Sequence, residues 1–277
     1  MPSCDVLAIF GSGSDRAIFG PLMRGLAGKK VNAELRICSA HKTPEELREL
    51  IAKTCARVIV AGAGLSAALP GACAAHAPTK PVIGVPVQGA YAGLDALLTV
   101  HQMPPGIPVL GTGVGAWTTA AEEVPKMFRP YSGIVIVNRR KGNAAYDAAI
   151  SKAERVFAEL GIKCETLNAP QFKNADKIYI DFLALNELEL VQKGDCLVLH
   201  VPVAKQGAEK AEDALKLLKG TRKGLFLRLN AGDNAALAAV QVMNIAGGAY
   251  ESKLQEYRRA VAKKVNDADG KEKRIFA

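Results

Sequence analysis

The run Leu35-Arg36-Ile37-Cys38-Ser39-Ala40-His41-Lys42-Thr43-Pro44-Glu45-Glu46-Leu47 decides how this chain is read. It opens with apolar-polar alternation, the pattern of a half-buried strand, and closes in a charged helical segment over Glu45–Leu50. A titratable histidine, a cation and two hydroxyls therefore fall where a strand ends and a helix begins. In open α/β sheets, ligands bind in the crevice outside such strand ends. Histidine also gives and takes protons near neutral pH without any perturbation of its pKa. The same residues fit a structural reading, in which a satisfied histidine lies beside a helix-capping threonine.

Working outward, Val6-Leu7-Ala8-Ile9-Phe10 reads as a buried strand that runs into Gly11-Ser12-Gly13-Ser14-Asp15. A helix with Ile18, Leu22 and Leu26 on one face follows. Further strands are expected at 33–38, 57–61, 82–87 and 109–111, with helices to about Cys55, from about Pro70 and over Gly93–Val100. Strand and helix alternate, so the sheet is parallel with right-handed crossovers, an α/β three-layer sandwich of the flavodoxin-like kind. Near residue 130 the pattern restarts. Strands are expected at 134–137, 163–167, 196–201 and 224–229, and helices at 145–160, 234–245 and 251–264, ahead of a frayed charged tail. Phe10 then corresponds to Val137, and His41 to about Pro170. The expectation is two tandem units, residues 1–129 and a degenerate copy over 130–277.

The 277 residues are 49% hydrophobic but only 5% aromatic, and the net charge of +9 is dispersed. The one basic run is Arg139-Arg140-Lys141. Nucleic-acid binding calls for clustered charge interleaved with aromatics, so it is not expected; small anionic metabolites suit the balance better. Six cysteines without C-x-x-C spacing read as reduced thiols of a cytoplasmic protein. No basic-then-apolar leader precedes Val6. The uncharged run Val58–Ala75 is broken by Gly62, Gly64, Pro70 and Gly71, so no membrane span is expected.

Three strand ends carry groups suited to chemistry. Gly11–Asp15 places small residues and two hydroxyls at a helix N-terminus, where an anion can approach, although Asp15 also fits as a helix cap. The loop is neither a Walker A nor a dinucleotide fingerprint. Gly62, Ala63, Gly64 and Ser66 end another strand, and their main-chain donors suit a carboxylate or carbon dioxide; tight helix–sheet packing would also favour Gly and Ala there. His76, His101 and His200 stand apart from carboxylates and cysteines, so they read as surface or interface residues and no metal site is expected. No Gly-x-Ser-x-Gly elbow supports a hydrolase triad. Together the three ends describe a pocket for a phosphorylated, sugar-bearing small molecule with one acid/base histidine.

Gly11–Asp15, Ser39–Pro44, Ala61–Gly71, Gly84-Val85-Pro86-Val87-Gln88 and Gln102-Met103-Pro104 resemble, in order, the motifs of the PurE family. The resemblance covers residues 5–115 and returns at Asn234–Gln241, which looks like the family's last helix. Those enzymes form 4-carboxy-5-aminoimidazole ribonucleotide in purine biosynthesis, without metal or cofactor. The resemblance implies that Ser12, Ser14 and Asp15 hold ribose and phosphate, Ser39 and Lys42 assist at the phosphate, and His41 is the general acid/base. It also implies a homo-oligomer, here of about four chains, with active sites confined to the N-terminal halves. Lys42 stands where the family's mutase branch has Arg, and Ala68 where it has His. Both lean toward the branch that carboxylates 5-aminoimidazole ribonucleotide with carbon dioxide, while Val85–Gln88 and Gln102–Pro104 lean toward the mutase. The expectation is a carboxylase, with the mutase as the alternative and a non-catalytic nucleotide-binding scaffold as the rival class.

Overall fold

A computed structural model describes residues 4–190, 194–205, 207 and 210–275. Its strands are β1 (Val6–Phe10), β2 (Ala33–Ile37), β3 (Val58–Ala63), β4 (Val82–Pro86), β5 (Leu110–Gly111), β6 (Gly133–Asn138), β7 (Cys164–Leu167), β8 (Lys177–Ala184), β9 (Leu197–Val203) and β10 (Leu225–Phe226). They form one ten-stranded sheet in the order β2-β1-β3-β4-β5-β10-β9-β8-β6-β7. Read from its two edges inward, that order is the same twice over: each half runs second, first, third, fourth, fifth strand. Within each half the neighbours are parallel, and the halves meet where Phe226 pairs antiparallel with Gly111. The strands of the second unit therefore run opposite to those of the first.

Sequence accounts for the strand positions. β1, β3 and β4 are buried throughout and are short apolar runs, as strands covered on both faces must be. β2 is an edge strand, and its Glu34 and Arg36 face water. Along β1, Leu7 and Ile9 join one core while Val6, Ala8 and Phe10 join the other, the two-residue period of a pleated strand. The first core carries Leu47 and Ile51 of α2 (Pro44–Lys53), Leu69 and Cys73 of α3 (Leu69–His76), and Ala96 and Val100 of α4 (Leu94–His101). The second spans both units through α1 (Arg16–Gly28), α5 (Trp117–Met127), α6 (Ala144–Leu160) and α8 (Gly232–Asn244). α7 (Ala211–Gly220) packs Leu217 with Phe226, and α9 (Glu251–Ile275) ends the described chain.

The units interlock. Lys126 of α5 donates from Nζ to the Cys196 carbonyl at 3.3 Å, and Arg129 reaches the Asp195 carbonyl at 2.9 Å. In return, Asn234 of α8 accepts the Gly106 N–H at 2.8 Å and donates to the Pro104 carbonyl at 3.0 Å. The helix that resembles the family's last helix is thus bonded to the Gln102–Gly106 turn of the first unit.

Three sequence expectations are corrected. β8 was not foreseen, and it is the largely buried strand that joins β6 to β9. The charged tail is not frayed: α9 continues to Ile275, supported by Lys263–Asp267 and Lys273–Asp269 pairs of 2.7 Å at i,i+4. His101 and His200 are not surface residues, for both are buried at the seam against Phe226, with ring centroids 6.4 and 5.0 Å from it.

Candidate active site

The carboxyl ends of β2, β1, β3 and β4 come level because their registers align: Phe10 sits opposite Ile37 and Gly62, and Gly62 opposite Val85. Bonds just beyond the strands keep the edge even. Cys38 donates its N–H to the Phe10 carbonyl at 3.0 Å, Gly11 to Gly62 at 3.1 Å and Val87 to Ala63 at 2.9 Å. The three loops proposed from sequence thereby meet around one cavity of about 510 Å³. That volume suits a mononucleotide-sized ligand.

Ser12, Ser14 and Asp15 form its first wall. Ser12 Oγ accepts the Ser14 N–H at 3.2 Å and the Ser14 hydroxyl at 2.7 Å, so the loop is set by its own side chains before α1 begins. Burial pushes the Asp15 carboxyl up from its ordinary value, against hydrogen bonds from the Ser12 backbone and Ser14 that hold it down. An acid placed so, beside hydroxyl donors, can accept hydrogen bonds from sugar hydroxyls. Ser39, Ala40, His41 and Lys42 form the second wall, with His41 and Lys42 exposed to the cavity solvent. An exposed imidazole at this place can reach a bound ligand and exchange its proton with it.

Ala63, Gly64 and Ser66 form the third wall, joined by Ala68. Ser66 adopts a left-handed backbone with φ of 49°, a conformation that costs a residue bearing a Cβ and tends to mark functional loops. Two residues expected at the site lie elsewhere. Gly62 is buried beneath Phe10, whose ring occupies the space a Cβ would need; glycine is required there by packing and does not face ligand. Gly13 is exposed between the lining residues Ser12 and Ser14 and is not itself part of the cavity wall. In exchange the structure adds Val87, Gln88 and Gly89, which follow β4. The signal for them was present in the Gly84–Gln88 motif, which sequence reading recognised without giving its residues a role. No group of three or more His, Cys, Asp or Glu is placed to hold a metal, and no helix is long and apolar enough to cross a membrane, among the described residues.

The second unit builds a different edge. With Phe10 matched to Val137, the row Phe10-Gly62-Val85 of the first unit becomes Val137-Asp181-His200 in the second. Arg139 forks onto Asp181 through two 2.8 Å bonds, and His200 Nδ1 lies 3.1 Å from the same carboxylate. Burial opposes ionisation of Asp181, but the bonds from His200 and Arg139 outweigh it and hold the carboxyl below its ordinary value. Glu187 extends the cluster, accepting from Arg140 at 2.8 Å. A charged plug stands where the first unit has an open serine loop.

A mostly parallel sheet with helices on both faces and a serine-lined, histidine-bearing cavity at its strand ends makes this a flavodoxin-like α/β protein. Comparison with known proteins narrows this. Residues 5–129 match the family model described as AIR carboxylase. The chain is 46% identical over 116 residues to the N5-carboxyaminoimidazole ribonucleotide mutase of Methanocaldococcus jannaschii, covering 42% of this chain and 73% of that protein. It is 45% identical over 111 residues to the mutase of the same name from Mycobacterium tuberculosis, covering 39% and 63%. A probable mutase of that name from Methanobrevibacter smithii is 46% identical over 188 residues, covering 67% and 52%. The chain belongs to the AIR carboxylase, or PurE, family, and like its relatives it is an enzyme.

Proposed function

We propose that this chain is an N5-carboxyaminoimidazole ribonucleotide mutase of purine biosynthesis, working from the edge that holds His41. The observation that supports this most directly is that relatives about 45% identical across the cavity-forming unit carry that name. This reverses the preference for a carboxylase drawn from Lys42 and Ala68. In the proposed reaction, protonated His41 gives its proton to the carbamate nitrogen, and the C–N bond breaks to leave the amine and carbon dioxide. The ring carbon C4 then attacks the trapped gas, and the now neutral His41 takes the proton from C4. One proton is cycled, and the product is an isomer of the substrate. Ser12, Ser14 and Asp15 hold the ribose and phosphate, with Lys42 and Ser39 beside them. The backbone donors of Ala63 and Gly64 border the carboxyl group, and the walls slow escape of the gas.

The direct carboxylase remains a second reading because of two residues. Lys42 offers a point charge where a planar guanidinium would fork, and Ala68 at the cavity wall leaves out an imidazole. Supplying the N-carboxylated ribonucleotide, and separately 5-aminoimidazole ribonucleotide at low bicarbonate, separates the two. Turnover of the first substrate alone supports the mutase, and turnover of the second supports the carboxylase.

The second unit we read as an eroded copy that forms no ribonucleotide site, since Arg139 and Asp181 fill its strand edge. The enzyme is proposed to act as a homo-oligomer, with one site per chain.

A further inference from the structure

Thr43 stands immediately before α2, where a threonine hydroxyl ordinarily accepts a backbone N–H of the first helical turn. It makes no such bond. The hydroxyl turns back instead, accepting the Ser39 N–H at 2.9 Å and donating to the Ser39 carbonyl at 3.1 Å. The Thr43 N–H reaches that same carbonyl at 2.9 Å, and the Lys42 N–H reaches Ser39 Oγ at 3.3 Å. Cys38 Sγ lies 3.3 Å from Thr43 Oγ1, beneath the loop. The ring of bonds encloses Ala40, His41 and Lys42. α2 is left to start on Pro44, which has no N–H to satisfy, and on the charges of Glu45 and Glu46. A hydroxyl that could stabilise the helix is spent on the loop that carries the histidine.

We propose that Thr43 is a positioning residue whose hydroxyl, by bonding Ser39 at both its N–H and its C=O, fixes the Ser39–Thr43 loop so that His41 and Lys42 face the cavity in one arrangement. The inference deepens the proposed function and rests on His41 as the proton-transfer group. A loop that is hydrogen-bonded at its neck pre-organises the imidazole; a loop that is not must order itself on each turnover.

Three variants test this. Thr43→Ser keeps donor and acceptor, Thr43→Val keeps shape without either, and Thr43→Asp keeps an excellent helix cap that, ionised, cannot donate. Thr43→Val and Thr43→Asp should each lower kcat at least about tenfold with KM within about threefold, while Thr43→Ser stays within about twofold of the parent. Amide exchange at Ser39, measured without substrate, should accelerate in the Val variant, which removes the acceptor of that N–H, and not in Ser. Restoration by Asp would mean Thr43 serves only the helix and would overturn the proposal, as would unchanged exchange in Val. Should Thr43→Val fail to fold, Thr43→Ala carries the same exchange test. If His41→Asn proves fully active while the exchange pattern holds, it is the functional reading that fails and the latch stands.

Discussion

Arg139 grips Asp181 through paired 2.8 Å bonds at the strand edge of the second unit, where both side chains are withdrawn from water. Asp181→Asn should therefore leave the guanidinium without its buried, doubly bonded partner, with Glu187 at 3.8 Å as the remaining nearby carboxylate. Removing one partner of a buried pair destabilises by about 3–5 kcal/mol, whereas replacing both with apolar groups is far milder. Urea denaturation should show that large loss for Asp181→Asn and a smaller one for Asp181→Leu combined with Arg139→Met. Equal losses would mean that the pairing is not what the residues contribute.

His41→Asn keeps a polar side chain of similar reach but has no ring nitrogen to carry a proton to and from the ligand. Turnover should fall by at least about 10² to 10⁴, the usual worth of a positioned acid/base, while affinity for the ribonucleotide changes little. Calorimetric titration alongside a product assay separates the two effects. Near-parental turnover would remove His41 from the mechanism.

Gly62→Ala drives a methyl group into the Phe10 ring, which is itself held against Phe19 at 5.5 Å between centroids. Overpacking of this kind costs about 1–3 kcal/mol. The thermal midpoint should drop, and Phe10→Leu in the same chain should restore much of it. Failure of that second change to help would place the strain elsewhere.

Acid should weaken the seam between the units through His101. Burial pushes its imidazole down to about 4, and its Nε2 lies 3.0 Å from the Thr112 carbonyl. An unfolded histidine titrates near 6.5, so between about pH 6.5 and 4 the unfolded chain binds a proton that the folded one refuses. Stability is therefore complete above that window and falls as pH drops through it, by up to about 3 kcal/mol. Denaturant midpoints across this range should show the slope, and His101→Phe should flatten it; an unchanged slope would assign it to other groups.

The first unit was legible because its strands are runs of apolar residues punctuated by glycine and serine loops, so local pattern and tertiary role agree. Its three site loops followed from strand ends alone. Gly62 is ambiguous in sequence because a glycine kept for packing against Phe10 and one kept for ligand approach look identical there. β8 escaped notice for a physical reason. Asp181 interrupts Ile178–Leu183, and a carboxylate within an apolar run argues against a buried strand until Arg139, distant in sequence, is seen to neutralise it. His101 and His200 are hard to place from sequence for a similar cause, since only the fold brings Thr112 and Phe226 to the one and Asp181 and Phe226 to the other. The sequence leaves Thr43 open to a capping role, and which way its hydroxyl turns follows from the fold.

The antiparallel seam at Gly111 and Phe226 has a geographical result. Because the second unit is inverted, the side it turns toward the first unit's cavity is not its charged strand edge but its opposite rim. There Gly113 meets the Thr221 carbonyl so closely that no side chain fits between, and Lys219 and Arg222 border a hollow that shares Gln88 with the His41 cavity. Changes around Asn138–Asn143 thus lie on the far side of the sheet from the His41 cavity, and their effect is on stability through the Arg139–Asp181 pair. The short turn after α7 is the stretch of the second unit that comes up beside the first unit's cavity.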